Sequence, residues 1–201
     1  MNERQIDQFF SALAESFPHP ARVIVTGAAL GAILGSVRPS RDIDFAIRPL
    51  RRSEQRWQAL EEAIRVTETR TGIPANYAED IDRWGAITLM DYPKHTLPYK
   101  RFGTIDVRLM EPAYWAIGKL TRYLATDIQD LVSVLKARRT PLRLVLRTWA
   151  TALRKSPRSD ALGQFRDHVE HFLSTQGPAI WGKGFSAENA IRLFRQAARA
   201  V

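Results

Sequence analysis

The sequence predicts an α+β protein in two parts, a sheet-bearing half over residues 1–110 and an all-helical, basic half over 111–201. Three observations predict it. Short apolar runs and alternating stretches bounded by Gly and Pro are confined to the first half, and every later periodic segment has helical spacing. Charge divides at the same point, with 15 basic and 14 acidic side chains up to Met110 against 15 basic and 7 acidic after it. Pro112 then sits where a helix tolerates proline best, in the first turn, whose N–H groups have no intrahelical partner anyway.

Taken in order, residues 6–17 carry Ile6, Phe9, Phe10 and Leu13 at helical spacing and stop at Pro18-His19-Pro20. Residues 22–26 read as a buried strand halted by Gly27, and a small-residue helix follows over 28–34. Residues 42–47 alternate, with Ile43, Phe45 and Ile47 on one face and Asp42, Asp44 and Ala46 on the other. An amphipathic helix over 53–69 begins at a Ser N-cap followed by Glu54. Two more strands are expected at 86–90 and 104–110, the latter placing Ile105, Val107 and Leu109 opposite Asp106. In the helical half, Thr126 and Gln129 have the spacing of a capping box. The two halves are expected to pack together and form a cleft.

Composition excludes several classes of function. With 201 residues and 45% hydrophobic side chains, roughly 70% of the unfolded surface can be buried without disulfides or a structural metal. The absence of cysteine removes disulfide frameworks, thiolate zinc sites, iron–sulfur clusters and thiol catalysis. The longest uncharged run, residues 23–37, is shorter than the roughly 20 residues that cross a bilayer, and the charged N-terminus is unlike a secretory signal. A cytoplasmic protein without a membrane partner is expected. The region 131–159 holds Lys136, Arg138, Arg139, Arg143, Arg147, Arg154, Lys155 and Arg158 with no acid, a composition that attracts polyanions.

The residues with chemistry to offer gather in the first half. Asp42 and Asp44, two apart on a strand, project from one face and repel each other unless a cation joins them, an arrangement suited to Mg²⁺. Such pairs also occur at ordinary solvated strand ends. Thr26-Gly27-Ala28 is a strand-to-helix turn whose amides can approach a phosphate. Arg38 and Ser40 lie just before the carboxylates, and Asp106 is a candidate third carboxylate. Further on, Lys119 shares a helical face with Arg122, as on an ordinary solvated basic face, Asp130 is a candidate partner for Lys119 or for a substrate hydroxyl, and Arg143, Arg147 and Arg154 form a stripe opposite the apolar side of residues 142–155. His168 and His171 read as a surface pair.

Val25-Thr26-Gly27-Ala28-Ala29-Leu30, then Arg38-Pro39-Ser40-Arg41-Asp42-Ile43-Asp44-Phe45, then Thr104-Ile105-Asp106-Val107 resemble the nucleotidyltransferase superfamily of the DNA polymerase beta type. The Arg-x-Ser-x-Asp-hydrophobic-Asp run, with Lys119-Leu120 and Asp127-x-x-Asp130-Leu131 downstream, is most similar to the AbiEii-type branch, which includes toxins of toxin–antitoxin systems. Residues 22–135 carry the resemblance in outline. Two positions depart from the pattern: Ala28 stands where a Ser would bond phosphate, and Thr126 where a basic residue is usual.

The resemblance implies a small mixed sheet flanked by helices and a reaction that moves a nucleoside monophosphate from an NTP to an acceptor hydroxyl. It assigns Asp42, Asp44 and Asp106 to Mg²⁺, and Lys119 to the phosphates with Thr26, the Gly27 and Ala28 amides, Arg38, Ser40 and Asp130 beside the nucleotide. With the basic half, it favours an RNA end, tRNA in particular, as acceptor, contacted by Arg143, Arg147 and Arg154. An antitoxin is an implied partner. Two other readings stay open: a catalytically inactive module of the same fold that binds nucleic acid or a partner, and a transferase acting on a small molecule such as an antibiotic.

Overall fold

A computed structural model describes residues 1–36, 39–89 and 91–199. The fold is α+β, and the chain forms two compact units. One comprises Met1–Ile33, Val37–Ile81 and Pro93–Met110; the other comprises Leu34–Ser36, Asp82–Tyr92 and Glu111–Val201. Among the described residues no helix is long and apolar enough to cross a membrane.

The first unit is built on one mixed five-stranded sheet, in the order β3-β2-β1-β5-β4. The strands are β1 (Ala21–Thr26), β2 (Ile43–Pro49), β3 (Ala75–Ala78), β4 (Thr96–Phe102) and β5 (Ile105–Met110). β1 runs antiparallel to β2 and parallel to β5, β2 is parallel to β3, and β4 is antiparallel to β5. The central strands are those whose alternation was legible: Val23, Val25, Phe45, Ile47, Ile105 and Val107 are all fully buried. Helix α1 (Glu3–Ser16) covers them with an aromatic cluster, Phe10 meeting Phe9 at 5.5 Å and Phe45 at 5.7 Å edge to face. Its start is a capping box: the Gln5 amide donates to Asn2 and the Asn2 amide donates to the Gln5 side chain. Helix α2 (Gly27–Leu34) follows β1 without a linker, and α3 (Glu54–Thr71) starts at the Ser53 N-cap, as expected, and ends at Gly72 in the left-handed region.

One expected strand does not form, and two strands that were not expected do. Residues 86–89 form no strand, and Met90 lies outside the described residues. There the Thr88 N–H donates to Ser156 Oγ and the Leu89 N–H to the Asp82 carboxylate, so side chains take the donors a ladder would use. The strands that do flank the centre, β3 and β4, lack the pattern: β3 is four residues long, and β4 contains Pro98, Lys100 and Arg101, as edge strands often do.

The second unit is a bundle of α4 (Pro112–Arg122), α5 (Ala125–Ala137), α6 (Leu142–Lys155), α7 (Asp160–Trp181) and α8 (Ala187–Arg199). Pro112 occupies the first turn of α4. Trp149 is fully buried, and its Nε1 donates to the Ala113 carbonyl at 3.0 Å, giving the largest core side chain a polar partner. The Thr126–Gln129 capping box does not form. Tyr123 adopts the left-handed region (φ 54°), so the chain re-enters a helix two residues later with Leu124 as N-cap, and Thr126 is already inside the first turn. The Tyr123 ring stacks on His168 at 4.5 Å, and its hydroxyl meets His171 Nδ1 at 2.7 Å, which ties this turn to α7.

Candidate functional site

Asp42 and Asp44 converge in the first unit at the start of β2, Asp42 just before the strand and Asp44 its second residue. Asp44 lies opposite Thr26 of β1 on one side and opposite Asn76 of β3 on the other. From that position the Asn76 Nδ2 donates to both carboxylates, to Asp42 Oδ2 at 2.9 Å and to Asp44 Oδ1 at 3.1 Å. Two anions are thus drawn onto one neutral amide. Like charges this close are electrostatically unfavourable in the absence of a cation, and a pair of hard oxygen donors with room for water and phosphate is what Mg²⁺ prefers. The two carboxylates are hard oxygen donors of the kind such an ion takes.

The glycine turn meets this pair directly. Gly27 has φ +63°, and a Cβ there would fall 2.6 Å from Cγ and 2.7 Å from Cβ of Asp44. Glycine is required both by the backbone and by the carboxylate packed against it. Ala28 continues into the first turn of α2, where backbone N–H groups lack intrahelical acceptors. Thr26 Oγ1 points to Met110 Sδ at 3.9 Å. Ser40, 4% exposed, donates to the Asp42 carbonyl at 2.5 Å, so its hydroxyl braces the chain that presents Asp42. Arg38 lies outside the described residues.

Asp106 is elsewhere. Register pairs it with Arg22, four residues before Thr26 on β1, about 13 Å along the sheet at ~3.3 Å per residue. Its Oδ2 accepts from Arg22 Nε at 3.3 Å. The β1–β5 register runs to Val25 opposite Leu109, and the β5 side chain that meets Thr26 is Met110, whose thioether offers no hard ligand. Among the described residues, no cluster of three His, Cys, Asp or Glu side chains could hold a metal. Asp106→Asn is therefore expected to change stability by less than about 1 kcal/mol, the range of a half-exposed ion pair. Thermal melts of the variant beside wild type check this, and a clearly larger loss would show that Asp106 does more than pair with Arg22.

Lys119, in the second unit, is 2% exposed. Its Nζ donates to Asp127 Oδ1 at 2.9 Å and to Asp130 Oδ2 at 2.7 Å, and lies 5.4 Å from the Trp115 ring centroid. Arg122 adds a bond to Asp127 at 2.9 Å, and Ser36 Oγ donates to the other Asp130 oxygen at 2.6 Å. Two cations balance two anions. Burial works against ionised Asp127, yet the bonds from Arg122 and Lys119 outweigh it and hold this carboxyl below its usual range. The expected pairing of Asp130 with Lys119 is present, but the ammonium is engaged by carboxylates in the interior.

A comparison with family models, with curated proteins and with solved structures finds no match for this chain.

On α6, Arg143, Arg147 and Arg154 are all exposed, but they do not form a uniform polar stripe. Arg154 donates to the Ala197 carbonyl of α8 at 3.0 Å, while Arg143 and Arg147 border a leucine-lined groove between α6 and α8. Asn76 is the site residue that the sequence reading missed. It sits 34 positions from Asp42 on a four-residue strand, and nothing local marks it.

Proposed function

We propose that the protein is a nucleotidyltransferase that moves a nucleoside monophosphate from an NTP to an acceptor hydroxyl with loss of pyrophosphate. The observation that carries this reading is the convergence of Asp42 and Asp44 on one amide, against a glycine turn that opens a helix. The strand-turn-helix-strand path and the mixed sheet agree with the family that the sequence resembles. Bound Mg²⁺ would supply charge neutralisation on the triphosphate.

Asn76 keeps the two carboxylates at one spacing, so little reorganisation is needed when charge arrives. Ser40 fixes the backbone at Asp42, and the α2 first-turn amides from Ala28 onward face an anion with the positive end of the helix dipole. RNA remains the favoured acceptor, its phosphates drawn by the acid-free region around Lys136, Arg138 and Arg139, which are all exposed. RNA affinity is expected to fall steeply with added salt.

A second reading has its own support. Asp106 is held by Arg22 and Lys119 is internal, so two groups that the resemblance assigns to catalysis are otherwise engaged, as in an inactive module that binds nucleic acid or a partner. Incubating the protein with each labelled NTP, Mg²⁺ and total RNA separates the two. The transferase reading expects label in RNA that drops at least about a hundredfold in Asp42→Asn and Asp44→Asn. No label in RNA, protein or small acceptors, with no thermal stabilisation by any NTP, would leave the binding module.

A further inference from the structure

We propose that the groove between α6 and α8 docks an acidic amphipathic helix of a partner protein. The inference is independent of nucleotidyl transfer. The groove encloses about 870 Å³, and its floor and walls are apolar: Leu142, Leu144, Leu146, Leu193 and Ala197. Leu193 is 39% exposed and adds its side chain to that apolar lining, so the exposed leucine belongs to a patch and does not stand alone. Arg143 and Arg147 stand at the rim, one helical turn apart, and α6 carries no acid.

Charge and shape together select the occupant. An RNA backbone would find the two guanidiniums but would lay phosphates and riboses over leucines that give them no hydrogen bond, leaving apolar surface poorly used. A second copy meeting this one groove to groove would set one arginine rim near the other, and α6 carries no acid to pair with them. A helix with leucines at i, i+3 or i+4 and i+7, flanked by Glu or Asp, satisfies floor and rim at once. The groove follows α6 only from Pro141 to Arg147, about 10 Å at 1.5 Å per residue, so about two turns of the partner would be covered, the span from i to i+7.

The test is fluorescence anisotropy on the full chain with three probes: a designed amphipathic peptide of about 18 residues with Leu and Glu in that pattern, its counterpart with every Glu replaced by Lys, and a single-stranded RNA. Saturable binding of the acidic peptide is expected, none of the basic one, and a loss of at least about tenfold in both Leu193→Glu and the Arg143→Glu/Arg147→Glu pair. Both sets of substitutions are on exposed positions, and unchanged melting temperatures confirm that the fold is kept. The proposal is overturned if the acidic peptide binds no better than the basic one, or if both variants bind it as wild type does. It is equally overturned if the arginine pair is needed for RNA alone, or if Leu193→Glu abolishes self-association of the chain and no peptide binds.

Discussion

Lys119→Met is expected to destabilise the second unit by about 3–5 kcal/mol, the usual consequence of removing one partner from a buried ion cluster. Asp127 and Asp130 are each about 1% exposed, so neither can recover the lost bond from water. Arg122 and Ser36 would remain, which leaves one positive charge against two negative ones in the interior. In a chain of this size the melting temperature should fall by roughly 10 °C. Adding Asp127→Asn and Asp130→Asn to Lys119→Met should restore part of the loss, because the damage lies in uncompensated charge rather than in shape. A Lys119→Met protein that melts like wild type would show that the ammonium is not held as described.

The same cluster gives a pH dependence with a definite sign. The Asp127 carboxyl is lowered in the folded state, so its contribution is fully present above the unfolded carboxylate value, about pH 4, and is lost as pH falls through its lowered folded value. Acid denaturation monitored at several pH values should therefore show a steeper fall below about pH 4 in wild type than in Asp127→Asn.

Gly27→Ala is the second large effect expected, and it joins stability to function. The backbone at Gly27 has φ +63°, which costs a residue with a Cβ about 1–2 kcal/mol before any contact is considered. The added methyl also lands on the Asp44 side chain itself, near Cγ and Cβ and not merely at its tip, so the carboxylate must leave its place beside Asn76. Destabilisation of about 1–3 kcal/mol is expected by denaturant titration. Loss of metal-dependent nucleotide binding should accompany it at temperatures where the variant is still folded. A folded Gly27→Ala protein with unaltered nucleotide binding would separate the turn from the carboxylates.

What could be read from the sequence divides along physical lines. β1, β2 and β5 were legible because both or one of their faces are buried and the apolar residues follow the period of the pleat. β3 and β4 were not, since edge strands are selected against looking like strands. The Asp42–Asp44 pair was visible as a local motif, but the amide that joins it comes from register between β2 and β3 after the whole of α3. Asp106 was placed by its face, correctly in alternation, yet the level along the strand depends on how β5 registers with β1, and that put it beside Arg22. Lys119 as a partner for Asp130 is one of two alternatives that the sequence offers, and the direction of the ammonium follows only from α5 folding back through the left-handed Tyr123. The α6 wheel divided apolar from basic faces, but the groove that Arg143 and Arg147 border exists only once α8 lies alongside.

The central claim, that Asp42 and Asp44 form one divalent-cation and nucleotide site, is tested most directly by titrating Mn²⁺ into the wild-type chain and the Asp42→Asn/Asp44→Asn pair, with and without each NTP, by isothermal calorimetry. The account predicts Mn²⁺ binding that is strengthened by an NTP and abolished in the double variant. Equal binding by both proteins, or no binding of Mn²⁺ with any NTP, would contradict it.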